Sequence, residues 1–207
     1  KLTLEDAETV ENLYTLYSQM ADKTLVENGD VLEAAYAKIQ QLRGEDTAAK
    51  LVADIAALPA VDKLTLADEG TVSGLEYRLE NLAEEYAELV TNADLLKSAR
   101  VRLTEIQSKL DALDILLTTK LNGAITLESK GLIDEAIKAM GGLAAADITT
   151  LTSYEQYFVP AVVDYVNLLV NSLFTDGELT SVSKDNVASL KDTLAQIDTY
   201  FAHIPEA

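Results

Sequence analysis

One helix-start signal recurs along this chain, and it confines the fold to helices arranged in series. Lys1-Leu2-Thr3-Leu4-Glu5-Asp6 returns almost unchanged as Lys63-Leu64-Thr65-Leu66-Ala67-Asp68, with fainter copies at Ile125-Thr126-Leu127-Glu128 and Leu179-Thr180-Ser181. In the first two copies a threonine is followed three positions later by an aspartate. Its hydroxyl accepts a first-turn backbone N–H, while the acid reaches back and favours the positive end of the helix dipole. Behind each cap the apolar residues fall at helical spacing: Val10, Leu13, Leu16 and Met20 in one copy, Val72, Leu75, Leu79 and Leu82 in the other.

The likeness continues past the caps. Thr9-Val10 matches Thr71-Val72, Leu25-Val26-Glu27-Asn28 matches Leu89-Val90-Thr91-Asn92, and Asp30, Leu32 and Ala35 match Asp94, Leu96 and Ala99. The capping threonines lie 62, 61 and 54 residues apart, which describes a helical repeat that degenerates toward its C-terminal end. The expected fold is all-α, with tandem three-helix-bundle-like repeats forming an elongated helical array. Residues 1–60, 61–121 and a divergent 122–177 are the repeats, and 178–207 is a partial repeat or capping helix.

Within the first repeat the pattern predicts helices over about 5–23, from Asp30 to Arg43, and from Thr47 to Leu58. Gly44 acts as a stop and Pro59 ends the last helix. In the second repeat a helix over about 67–88 precedes the capping sequence Thr91-Asn92-Ala93-Asp94. Nothing then breaks the pattern before Asn122-Gly123, so one helix of roughly 27–30 residues follows, spanning about 40 Å. The third repeat predicts a helix near 128–140 stopped by Gly141-Gly142. Another begins at a capping box Thr152-Ser153-Tyr154-Glu155, with Pro160 in its first turn or kinking it, and ends at Asp176-Gly177. A last helix is expected over about 182–203, with Val187, Leu190 and Leu194 aligned to Val72, Leu75 and Leu79.

Composition limits the function classes. Hydrophobic residues make up 48% of the chain, enough for a folded core despite a net charge of −19. That charge repels phosphate backbones and anionic lipid, so neither nucleic-acid binding nor membrane insertion is expected. No run of about 18 apolar residues is present to span a bilayer. The absence of cysteine excludes disulfides and thiolate chemistry. His203 is the single histidine, so no second His or Cys can join it in a zinc site, and a Ser-His-Asp triad would need that one residue near the C-terminus. Glycine-rich phosphate loops and nucleophile elbows are missing as well, and the chain reads as a non-enzyme without cofactor or metal.

Two sets of side chains invite a binding role. Glu80, Glu84, Glu85 and Glu88, read on one helix, and Asp111 with Asp114 are acidic clusters. They fit no calcium-loop pattern and are best read as solvated helix faces. Tyr154 and Tyr157, with Tyr165 and Phe158 nearby, are either core residues or a partner patch of the kind that anchors protein and sugar recognition. Lys97, Arg100 and Arg102 are expected to pair with neighbouring glutamates.

The segment from Leu58-Pro59 through Val61-Asp62-Lys63-Leu64-Thr65-Leu66-Ala67-Asp68 to Leu89-Val90-Thr91-Asn92-Ala93-Asp94-Leu95-Leu96 resembles helical spacer repeats of secreted and cell-wall-associated surface proteins of Gram-positive bacteria. Such repeats stand beside S-layer homology, immunoglobulin-like or secreted carbohydrate-active modules. The likeness is strongest over about 58–108, lesser over 1–43 and faint beyond 125. Glu76-Tyr77-Arg78-Leu79 stands where the family carries a Tyr-Asp-x-Leu-like segment. A start directly on a repeat motif suggests an excised piece of a longer chain, and the resemblance implies an extracellular spacer or assembly module. Its partners would be the flanking modules, surface-layer self-association, or a protein or glycan ligand held by the divergent third repeat. No catalytic residues carry over.

Overall fold

A computed structural model describes residues 1–175, 177–179, 191–192 and 195. The expected helix at 182–203 and His203 fall outside these residues, apart from 191, 192 and 195. The described chain is helical: α1 (Ala7–Ser18), α2 (Gly29–Ala56), α3 (Glu69–Glu80), α4 (Glu84–Ala87), α5 (Ala93–Lys120), α6 (Lys130–Met140), α7 (Ala145–Ile148) and α8 (Val159–Ser172). One two-residue antiparallel pair interrupts this. β1 (Phe174–Thr175) meets β2 (Glu178–Leu179) across a turn at Gly177, whose φ of +84° favours glycine. The chain divides into two compact units, Lys1–Arg102 and Leu103–Ala207.

The recurring cap repeats in backbone as well as in sequence. Thr3, Thr65 and Thr126 adopt nearly the same extended conformation, with φ of −133°, −127° and −130°. Each closes a capping box with the residue three positions on, which is Asp6, Asp68 and, in the third copy, Ser129. Each box opens a single 3₁₀ turn rather than an α-turn, and an α-helix follows directly. The short helices α1, α3 and α6 are 12, 12 and 11 residues long, and the long helices α2 and α5 are 28 residues each. The single long helix expected after Asn92 is therefore present.

The first repeat differs from expectation, because α2 runs unbroken through Gly44 and merges the two helices expected there. Glycine costs a helix interior up to about 1 kcal/mol relative to alanine, yet here it has a packing reason. A Cβ on Gly44 would lie 2.2 Å from the Tyr86 ring. Side-chain bonds also straddle the site, Thr47 Oγ1 donating to the Arg43 carbonyl at 2.8 Å and Gln41 Nε2 to Glu45 at 2.7 Å. The apparent break arises from a change of buried face. Ile39 and Ala48 are both buried but lie nine residues apart, about 180° out of phase on a helix. The N-terminal half of α2 joins Ala7 and Val10 of α1 around Ile39, with Leu32, Ala35 and Tyr36 packed alongside. The C-terminal half buries Ala48, Leu51 and Ile55, and α2 packs against α3 and α4 as well as α1.

Two other helices are shorter than predicted. α1 ends at Ser18 rather than near residue 23, because Asp22 accepts the Thr24 N–H at 3.0 Å and turns the chain locally. The helix expected over 67–88 is split into α3 and α4. Asn81 Nδ2 donates to the Tyr77 carbonyl at 2.7 Å, and Ala83 is extended, with ψ of 142°.

In the second unit Leu113, Leu117 and Leu121 pack with Ile133, Ala136 and Met140 of α6 and with Phe158, Ala161, Val162 and Val166. α6 stops as predicted, with Gly142 at φ +81°. Thr152, the cap expected to pair with Glu155, already lies in helical conformation, and the hydroxyl of the next residue, Ser153, donates to Asp114 at 2.6 Å. Tyr154–Phe158 instead forms a π-helical turn leading into α8, which carries Pro160 at its start. Proline has no N–H and its ring crowds the preceding turn, and a widened turn at that point accommodates both.

The Gly44–Tyr86 contact sets the sign of a substitution. Gly44→Ala gains helix propensity but forces the ring aside, and overpacking of this kind costs about 1–3 kcal/mol. Denaturation should show a net loss. In a Tyr86→Ala background the same change should become stabilising, by up to about 1 kcal/mol.

Candidate functional site

Among the described residues a groove of about 540 Å³ lies between the end of α2 and α3. Leu58 and Leu75 give it an apolar floor, and Gly70 and Gly74 leave the α3 wall bare. A Cβ at either glycine would meet nothing within 4 Å, so missing side chains rather than parted backbones create the space. At its edge the Arg78 guanidinium donates to Asp54 at 2.6 Å, a pair that is partly solvated on both sides. An apolar floor with a neutralised ion pair can receive a side chain, with Asp68 and Thr71 also on the lining.

The tyrosines singled out from the sequence do not form an exposed patch. Tyr154 is 4% exposed and stacks on Phe158 with ring centroids 5.5 Å apart, inside the core of the second unit. Burial raises its hydroxyl pKa, with the charge of Glu155 adding to the effect. Tyr157 is half-buried against the same core, and Tyr165 is buried within it. Aromatic residues at helical spacing among leucines pack inward, which is the core alternative the sequence left open.

The acidic residues do not converge either. Glu80 ends α3 while Glu84 and Glu85 belong to α4, so the four glutamates are not on one helix. Asp111 accepts from Gln107 at 2.7 Å, and Asp114 from Ser153. Among the described residues no three His, Cys, Asp or Glu side chains gather as a metal site, and no helix is long and apolar enough to cross a membrane.

The most developed polar cluster is structural. Arg100 on α5 donates to Glu76 at 2.6 and 3.0 Å, to Glu69 at 2.5 Å and to the Ser73 hydroxyl at 2.8 Å, clasping three residues of α3. These hydrogen bonds, Glu76 first, raise the guanidinium pKa further. The Arg100 bond holds the Glu69 carboxyl below its usual value, against the opposing effect of burial. Lys97 pairs with Asp94 at 3.1 Å rather than with a glutamate. The Arg100 clasp was only loosely anticipated, since the sequence places Arg100 near glutamates without saying which helix carries them.

Two predictions follow from these placements. Tyr154→Ala should destabilise by roughly 3–5 kcal/mol, as truncation of a buried aromatic does, and Tyr157→Ala by clearly less. A depressed folded-state pKa at Glu69 means stability is gained above the ordinary value of 4.5 and lost as pH falls through the folded value. Arg100→Gln should therefore cost about 1 kcal/mol at pH 7, and the difference from the parent chain should shrink as pH drops below 4.5. Comparisons with protein-family models, with curated proteins and with solved structures gave no match to this chain.

Proposed function

We propose that this chain is a non-enzymatic spacer or assembly segment of a bacterial cell-surface or secreted protein. One observation carries the reading, the alternation of short and long helices at the period of the sequence repeat. α1 and α3 begin 62 residues apart at equal length, and α2 and α5 begin 64 apart at equal length. Each short helix and the halves of the long helices flanking it constitute a three-helix bundle in this account. Every long helix then belongs to two successive bundles, and the repeats form an array. Such an array extends by adding repeats and needs no reaction centre. The resemblance of residues 58–108 to surface-protein spacer repeats supports the location, and the surplus of acid supports a solvated surface. Tyr154 lies in the core and cannot anchor the protein or glycan ligand of the alternative binding role.

Small-angle scattering tests the array. The radius of gyration should exceed the roughly 17 Å of a compact globule of this length, and a value at or below it would contradict the reading. Sedimentation velocity separates a passive spacer from an assembly segment. With net charge −19 the chain should remain monomeric in monovalent salt. Calcium should produce at most weak association, through carboxylates such as Glu84 and Glu88 on neighbouring copies. Strong calcium-specific oligomers, unmatched by magnesium at equal ionic strength, would instead favour a surface-layer role.

A further inference from the structure

The repeat makes it possible to ask what is missing from the first short helix. Leu13, Leu75 and Ala136 occupy the same repeat position in α1, α3 and α6. Leu75 is 5% exposed and Ala136 is 0% exposed, but Leu13 is 51% exposed. At the neighbouring position the equivalents are engaged with another element, although Arg78 is itself exposed. Arg78 bonds to Asp54 of α2 and Ala139 packs on the core of the second unit, while the equivalent Leu16 is 65% exposed. At the position before the cap, Leu64 is buried, while Leu2 and Ile125 are each half-buried against a core.

Leu13 and Leu16 form one exposed stripe on α1, and Met20 follows just beyond its C-terminal end. The stripe lies about 80° around the helix from the Val10 and Tyr17 stripe that faces α2. In a triangular three-helix bundle the two neighbours of a helix lie about 60° apart around it, so a stripe at this offset is placed to meet a second neighbour.

The covering element at the equivalent positions has the same identity in both other repeats. Leu75 faces the C-terminal end of α2, and Ala136 packs with Leu113, Leu117 and Leu121 at the C-terminal end of α5. In each case the covering helix directly precedes the capping threonine in sequence, α2 ending at Ala56 before Thr65 and α5 at Lys120 before Thr126.

We infer that the Leu13–Leu16 face of α1, with Met20 just beyond it, is a socket for the C-terminal half of a long helix of this same repeat type, carried in the same polypeptide immediately ahead of the Thr3 cap. The occupant presents an apolar seam like Ala48–Leu51–Ile55 or Leu113–Leu117–Leu121. The inference rests on repeat geometry and does not depend on the proposed spacer role or on cellular location.

The test uses the full chain with a second copy of residues 29–62 fused ahead of Lys1, which recreates the natural Asp62–Lys63 junction. Amide hydrogen exchange over Val10–Ser18 should slow by at least about ten-fold relative to the unfused chain. A fused chain carrying L51E and I55E in the added copy only should lose that protection. Unchanged exchange over Ile133–Met140 in all three proteins would show that the second unit stays folded. Equal α1 protection with the intact and the broken seam, or none with either, would overturn the inference. So would a concentration-dependent dimer of the unfused chain that protects Leu13, since the occupant would then be a second copy.

Discussion

A helix whose apolar stripe changes sides halfway along is stable only if something covers each side, and α2 is such a helix. Its first half is buried around Ile39 and its second around Ala48, Leu51 and Ile55, on nearly opposite faces. Burying a Leu or Ile side chain contributes about 1.5–3 kcal/mol, whereas a free helix in water is marginal, so packing on both faces decides whether α2 is one rod. α1 covers one face, and α3 and α4 pack on the helix as well. The Tyr86 ring fills the space over Gly44 at the changeover. The unit Lys1–Arg102 is organised around that helix.

Charge is then distributed so that the scarce bases sit where helices meet. The chain has 16 basic residues against 35 acidic ones. Arg43 reaches from α2 to Glu11 on α1, Arg78 from α3 to Asp54 on α2, and Arg100 from α5 to Glu69 and Glu76 on α3. Lys120 of α5 reaches Glu135 on α6. Partly solvated pairs of this kind contribute little each to stability. Their placement across seams favours one pairing of faces over others, and the surplus acids are left for the solvent.

The sequence made the periodic features legible and hid those that depend on a partner. The caps at Thr3, Thr65 and Thr126 are local hydrogen-bond patterns within four residues, and all three stand in the structure. α5 could be recognised as one rod because Leu96, Ala99, Leu103, Ile106, Leu110, Leu113 and Leu117 keep one slowly drifting stripe. α2 could not, because a jump of stripe next to a glycine imitates the end of one helix and the start of another. Only the ring of Tyr86, 42 positions away in sequence, tells the two cases apart. The same limit applies to function. For Tyr154 and Tyr157 the sequence favours core packing and leaves a surface anchor open, and the fold places Tyr154 in the core beside the π-turn ahead of α8. Thr152 matched a cap by its spacing to Glu155, but the chain is already helical there, and the Ser153 hydroxyl beside it goes to Asp114 on α5.

The account depends most on α2 being a single helix through the change of face. Backbone chemical shifts of the intact chain across Leu42–Ala48 measure that directly. Uninterrupted helical Cα shifts through Gly44, Glu45 and Asp46 are the predicted result, with Gly44 in the same helical state as its neighbours. Coil-like shifts at Gly44–Asp46 with helical values on either side would contradict it, and would restore two separate helices in place of α2.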